Sequence, residues 1–510
     1  MHANTPHPRR ALALVAMTGS LSMIMLDVTV MGVALPSVRE SLAMTAEQTQ
    51  WAVNGYVLAL ASAVGLFGKL GDVIGRTRAF LLGIMLFACA SAMVGAAPTA
   101  ESLILWRVIQ GLGAALMQPA SAAMVTSLYR DGERGRAMGI YVGISMAFLA
   151  VGPVLGGLMV EWLSWRWCFY LNLPIACTAI ALTLAAKPPK FPRQTLSIDI
   201  VGALLLLLGL PAFVAGIQLA TARGWTDTLV ALLVLGGGAL GVAFLFWELR
   251  HPTPLIRVAL LRDRGFLSNA LVLLVVQFAM TGLIIQQSLY AQSVFGFSPA
   301  MAGMSLMPMM LPILLIVPRA GRLYDKVGVR VPSIIGLATA SLGMATMTLG
   351  IWLRSYLVLA MGMALFGAGI GLAMSPTNTD ALARVRLEER GEASGVIQTF
   401  RQIGGTTGLA VLMMVSAIAM QACPLPPQIA GDPTLPKLVV LAAGGDEDAR
   451  VTLENSGDLS IAAKTTMRDL MVCGTTASGV AATVSCLLAL GIAILWSQPP
   501  IRRNDDAVRE

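Results

Sequence analysis

Apolar residues recur along this chain in runs of about twenty, each the length of helix that crosses about 30 Å of hydrocarbon. The pattern predicts fourteen membrane-spanning helices, over residues 11–35, 51–67, 79–97, 103–128, 137–162, 167–186, 198–219, 229–247, 266–290, 301–320, 331–353, 356–378, 403–422 and 470–496. The first run follows Arg9 and Arg10. It exceeds the apolar core of about 7–15 residues found in a cleaved signal, so it reads as an uncleaved first span. The fold class expected is an all-α polytopic membrane protein.

Basic residues set the orientation, because Lys and Arg are retained on the cytoplasmic side. With the N-terminus inside, Lys69, Arg76, Arg78, Arg130, Arg134, Arg136, Lys187, Lys190, Arg193, Arg250, Arg257, Arg262, Arg264, Arg322, Lys326, Arg330, Arg384, Arg386 and Arg390 all fall in cytoplasmic loops. The opposite loops hold few, Arg39, Arg166, Arg223 and Arg354 among them. Both termini are expected in the cytoplasm of a bacterium, with the chain crossing the inner membrane.

Composition agrees. Of 510 residues 56% are hydrophobic and 12% charged, against roughly 25% charged in a soluble domain. The net charge of +8 is spread over the loops as a topological signal. It forms no single basic patch of the kind that holds nucleic acid. Three His residues leave no metal cluster to build, and no phosphate-binding Gly-x-x-x-x-Gly-Lys-Ser/Thr loop is present. No catalytic constellation, metal or cofactor is expected, so any work must draw on a gradient. Cys89, Cys168, Cys177 and Cys486 read as packing residues, while Cys423 and Cys473 flank the last outer loop, where a disulfide is conceivable.

Two echoes divide the chain. Gly68-Lys-Leu-Gly-Asp-Val-Ile-Gly75 returns 253 residues later as Gly321-Arg-Leu-Tyr-Asp-Lys-Val-Gly328. Glu133-Arg-Gly-Arg-Ala-Met-Gly139 returns 256 residues later as Glu389-Arg-Gly-Glu-Ala-Ser-Gly395. The matching offsets imply a duplication, with a six-helix half at 1–190, two inserted helices at 191–250 and a second six-helix half at 251–510. The second half carries a long outer loop at 423–468. Duplicated halves with a central site between them are a transporter signature.

Four segments carry a resemblance. Leu26-Asp-Val-Thr-Val-Met-Gly-Val-Ala-Leu-Pro36, Gly68 to Arg78, Arg107-Val-Ile-Gln-Gly-Leu-Gly113 and Gly152-Pro-Val-Leu-Gly-Gly157 resemble signature motifs of the major facilitator superfamily. With fourteen spans and Trp165-Arg-Trp-Cys-Phe-Tyr-Leu-Asn-Leu-Pro174, the chain looks like the fourteen-spanner drug/proton antiporter branch. The resemblance implies the major facilitator fold, a gate at Gly68, Asp72, Arg76 and Asp325, and an antiporter packing motif at Gly152, Pro153, Gly156 and Gly157.

The residues also read on their own terms. Asp27 lies about 25 Å along a helix from Arg10, where a carboxylate is costly unless it is protonated or paired. Arg107 enters from the outer side, about 8 Å below Ser102, and reaches a similar depth. A rearrangement that parted the two would switch proton affinity, which is a coupling mechanism in outline; a static pair that fixes helix packing is the alternative. Asp72 is placed to cap a neighbouring helix and Arg76 to pair across the seam between the halves. Small residues around Gly152 allow a close helix approach with a bend at Pro153, although Phe148, four positions earlier, departs from the small residue common there.

Polar groups inside spans are candidates to line a substrate cavity: Asn54, Tyr56, Gln110, Gln118, Gln286 and Gln287, with Gln277 and Asn378 as lesser ones. Met301, Met304, Met307, Met309 and Met310 offer either a pliable pocket or core filling. No Asp or Glu other than Asp27 lies deep in a span, which favours neutral, weakly cationic or anionic amphiphiles over dications. The function expected is proton-coupled export of small amphipathic molecules, with protons, substrate and the lipid bilayer as partners. The outer loop is read as a partly disordered cap, or as a dock for a periplasmic adaptor protein. The alternatives are a dedicated exporter of a single metabolite and a non-transporting receptor or scaffold on the same fold.

Overall fold

The computed structural model describes residues 9–496 apart from 130–132, 189–198, 252–258, 298, 387–389 and most of 427–458. Its helices in chain order are α1 (Arg10–Ser41), α2 (Ala46–Ile74), α3 (Arg76–Gly95), α4 (Ala100–Leu128), α5 (Arg134–Trp162), α6 (Trp167–Tyr170), α7 (Asn172–Ala186), α8 (Ile200–Arg223) and α9 (Thr228–Arg250). There follow α10 (Ala259–Arg262), α11 (Arg264–Phe295), α12 (Pro299–Met304), α13 (Met307–Val327), α14 (Arg330–Trp352), α15 (Tyr356–Ala383), α16 (Arg390–Ala422) and α17 (Leu459–Trp496). No strand occurs among the described residues.

Twelve of these segments are long and apolar enough to cross a membrane, and α5 adds a thirteenth if its two pieces form one span. The remaining expected span is present as the shorter apolar stretch Val201–Ile217 within α8. Several helices outrun the expected boundaries, because polar residues near the ends are capped rather than excluded. Thr45 and Gln48 form a reciprocal capping box that starts α2 five residues early. Asp263 accepts from the backbone N–H of Phe266 and starts α11 two residues early, while Asp199 accepts from that of Gly202 and starts α8 two residues late. At the far end, α17 begins at Leu459, so helix replaces the last part of the expected outer loop. The rest of that loop, with its reading as a cap or an adaptor dock, lies mostly outside the described residues.

Packing falls into two groups. In the first, α1 lies on α5 and α7 while α2 and α3 lie on α4; in the second, α11 lies on α16 and α17 while α14 lies on α15 and α17. The duplication recurs here in three dimensions. A Cβ on Gly83 would stand 2.9 Å from the Gly113 carbonyl, and one on Gly336 would stand 2.7 Å from the Gly369 carbonyl. These four glycines repeat the offsets of 253 and 256 residues, so the same backbone-to-backbone approach joins α3 to α4 and α14 to α15. The groups meet where α5 packs on α13 and α2 on α16. Helices α8 and α9 pair with each other, and α8 leans on both α2 and α16. Large apolar side chains such as Leu105, Leu235, Leu357 and Leu488 face outward, as a lipid-bathed surface requires.

Candidate functional site

Asp27 and Arg107 are in direct contact inside the first helix group. The guanidinium Nη1 of Arg107 donates to Asp27 Oδ2 at 2.5 Å, and Gln110 Nε2 donates to Asp27 Oδ1 at 2.8 Å. Arg107 also donates from Nη1 to Gln110 Oε1 at 2.7 Å and from Nε to the Ala52 carbonyl at 3.1 Å. Its guanidinium lies 4.4 Å from the Tyr56 ring centroid and 5.8 Å from that of Phe169. One turn of α4 thus presents Arg107 and Gln110 on the same face, three residues apart, toward α1. The side chains of Asp27 and Arg107 are each 1% exposed. Such a pair balances while intact, and removing one member leaves an uncompensated charge.

Two expected cavity residues take part in this arrangement. Gln110 and Tyr56 belong to the Asp27 cluster, with the Tyr56 hydroxyl buried and without a hydrogen-bond partner. Among the other candidates, Gln118 has an unpartnered Oε1, Gln286 an unpartnered Nε2, and Gln287 neither amide atom bonded. Asn54 is half-buried.

At the basic-loop end, the segment expected to be a turn over 68–78 is helical through Ile74, with Gly68 and Asp72 both inside α2. The chain reverses at Gly75 alone, whose φ of 100° suits a residue without a Cβ. Gly328 plays the same part after α13 at φ 76°. Arg76 donates to Asp72 Oδ1 at 2.8 Å, one turn away, and to Ser127 Oγ of α4 at 3.0 Å. Both of these partners lie in its own helix group. The repeat equivalent of Asp72 makes a helix cap across the seam. Asp325 accepts from the backbone N–H of Gly135 at 3.0 Å and of Arg136 at 3.2 Å, so an acid on α13 caps the first turn of α5. Arg390 of α16 donates to the Thr126 carbonyl at 3.0 Å, near the C-terminal end of α4.

The glycines of α5 serve two neighbours. Gly152 faces Thr29 of α1, where an added Cβ would collide with the hydroxyl, and a Cβ on Gly156 would stand 3.4 Å from Val30 Cα. Gly157 has nothing within 4 Å of that position. The expected motif therefore seats α5 on α1 rather than on the other helix group. The seam is made by Gly135 and Gly139, whose added Cβ atoms would meet the backbone of Gly321 and of Val317, and by Gly143 against Pro318. From Gly143 to Gly152 is nine residues, which at 100° each turns to the opposite face of the helix. The bend expected at Pro153 is present as a 40° break between Leu149 and Val154. Phe148 packs with the apolar cluster around Leu26 and Val30.

One charged residue escaped the sequence reading. Arg401 was placed outside the span assigned to 403–422, yet α16 starts at Arg390, and Arg401 stands about 16 Å along it. The signal was present in the second echo. With the first-half helix read from Ala137, the offset of 256 puts its counterpart at Ala393, and the apolar span runs Ala393–Ala422. Among the described residues no group of three or more His, Cys, Asp or Glu could hold a metal ion.

Comparisons with known proteins agree with this architecture. The model of the Major Facilitator Superfamily matches residues 17–409. The puromycin resistance protein pur8 of Streptomyces alboniger is 35% identical over 82% of this chain and 84% of its own. The multidrug resistance protein Stp of Mycobacterium tuberculosis is 33% identical over 81% and 76%, and the tetracenomycin C resistance and export protein of Streptomyces glaucescens is 31% identical over 79% and 75%. Among solved structures, the proton:xylose symporter XylE has the same fold, at a TM-score of 0.63 with 12% identity and 96% of each chain covered.

Proposed function

Because the chain belongs to the major facilitator superfamily, whose members are transporters rather than enzymes, we propose that it exports small amphipathic molecules across a bacterial inner membrane in exchange for protons. The observation that carries this reading is the buried Asp27–Arg107–Gln110 network. A scaffold has no use for so costly a group. The names of the relatives, which speak of resistance and export, support the direction of transport.

The two helix groups are the rocking halves in this reading, with α8 and α9 inserted between them in sequence. In this reading the basic-loop end, held by Asp325 on α5 and by Arg390 on α4, is the cytoplasmic gate, closed while the exporter faces outward. A proton arriving from the periplasm neutralises Asp27 and frees Arg107 from its ionic partner. Arg107 keeps the Ala52 carbonyl and the Tyr56 and Phe169 rings as alternative neighbours. The loosened contacts among α1, α2 and α4 then let the first half tilt and break the gate. On the cytoplasmic side the proton leaves, substrate loads, and the ion pair re-forms as the gate closes. Each proton contributes about 2.3 kcal/mol per 100 mV of potential.

A second reading, a dedicated exporter of one metabolite, is favoured by relatives named for the export of single compounds, tetracenomycin C and cephamycin. The test is energised efflux of a panel of lipophilic dyes and drugs from pump-deficient cells, comparing the protein with Asp27→Asn at equal expression. Loss of efflux in the variant supports Asp27 as the proton carrier, and equal efflux removes it from the mechanism. If neither version moves any compound on the panel, the multidrug reading gives way to the dedicated exporter.

A further inference from the structure

Arg401 stands on α16, a helix that packs on α2 and α4 of the other group, and none of the gate or Asp27 contacts described above uses it. Its Nη2 donates to Gln277 Oε1 of α11 at 3.3 Å and its Nη1 to Gln398 Oε1 at 3.4 Å, while Nε has no partner. Both acceptors are neutral amides at long range, and among the described residues no carboxylate forms an ion pair with it. Gln277 is itself oriented by a bond from its Nε2 to Thr281 Oγ1 at 3.1 Å, which leaves its oxygen toward the guanidinium. From the other helix group, Tyr141 of α5 lies within electrostatic reach, its hydroxyl 2.7 Å from Ser121 Oγ of α4.

A guanidinium at that depth without an anion is expensive, and its planar fork of donors matches a carboxylate or sulfonate. The Asp27–Arg107 pair, by contrast, is complete in itself, since Asp27 takes both of its bonds from α4. We propose that Arg401, with Gln277 and Gln398, forms a subsite that binds an oxyanion carried by the transported amphiphile. The proposal rests on the exporter reading and narrows its substrates: the transported class includes organic anions, with Arg401 as the specificity-determining residue. The position between the halves gives the subsite access from whichever side is open.

The test uses the full-length protein in nanodiscs and a matched pair of fluorescent probes, 1-anilinonaphthalene-8-sulfonate and its neutral analogue N-phenyl-1-naphthylamine, with empty discs subtracted. The expected result is that Arg401→Gln weakens sulfonate binding at least tenfold and changes binding of the neutral probe less than twofold, while Arg401→Lys falls between. Equal losses for both probes assign Arg401 a packing role and overturn the proposal, as does unchanged sulfonate binding or no sulfonate binding by the parent protein. Discs of phosphatidylglycerol and of phosphatidylcholine distinguish a lipid source. If phosphatidylglycerol displaces the sulfonate from the parent protein but not from the Arg401→Gln variant, the site belongs to a headgroup, which also overturns the substrate assignment. Failure of the exporter reading is seen separately, as absence of energised dye efflux in cells, and leaves the binding result readable.

Discussion

The carboxylate of Asp325 accepts a hydrogen bond from the backbone N–H of Gly135 at 3.0 Å, tying the end of α13 to the beginning of α5 across the seam. The bond unites an acid and a helix N-terminus, two partners that attract without any matching basic side chain. Hydrogen bonds to charged groups contribute about 1.5–3 kcal/mol, so losing this one shifts the balance between gate states by about tenfold or more. Asp325→Ala is expected to populate a form open at the basic-loop end. Spin labels at the exposed Arg78 and Arg330 would then report a second, longer distance, and an unchanged distribution would remove Asp325 from the gate.

Glycine substitutions separate the two faces of α5. A Cβ on Gly321 would run into the backbone of Gly135, which cannot turn aside, whereas one on Gly152 would meet the Thr29 side chain. Gly321→Ala is expected to cost about 1–3 kcal/mol through overpacking and to disturb the seam. Gly152→Ala is expected to cost less and to be rescued by Thr29→Ala. Thermal unfolding of the four proteins checks this, and the order fails if Gly152→Ala proves the more damaging.

The buried Asp27–Arg107 pair makes a prediction about energetic coupling. Arg107→Ala leaves Asp27 buried and uncompensated and is expected to destabilise the protein by about 3–5 kcal/mol. Asp27→Ala with Arg107→Ala is expected to cost less than the sum of the single changes, because neither charge is then stranded. A thermal-denaturation cycle measures the interaction, and strict additivity would show that the two residues act independently.

The reduced Cys423 thiol, just beyond the end of its span, is pushed up to about 11, first by burial and then by its neighbour Cys473. A raised value leaves less thiolate at any given pH. Maleimide labelling of Cys423, followed by peptide mass spectrometry, is therefore expected to climb about tenfold per pH unit from 7 through 9.5. A free thiol levels off near pH 8.5, and levelling there would contradict the burial seen at this site.

Much of this protein was legible in one dimension. Spans are set by hydrocarbon thickness, and an acid such as Asp27 stands out against an apolar run because lipid offers it no water. The duplication could be read because glycine at a positive-φ chain reversal tolerates few substitutes, so Gly75 and Gly328 kept their register. What sequence reading lacked was azimuth. Spacing places Asp27 and Arg107 at similar depth, but only packing shows that Gln110 and Tyr56 turn toward them. It likewise takes packing to show that Gly152 faces α1 while Gly143 faces α13. Helix ends were the other weakness, since a cap such as Thr45 with Gln48 extends a helix into polar sequence that hydropathy excludes. Arg401 was missed for that reason: a charge near the start of an apolar run reads as a loop residue until the helix is seen to begin at Arg390. The sequence by itself determined the membrane class, the repeat and the costly buried acid, because those follow from solvation and local sterics. Only the tertiary structure decided which residues face one another across the seam, because that depends on how each helix is rotated about its own axis.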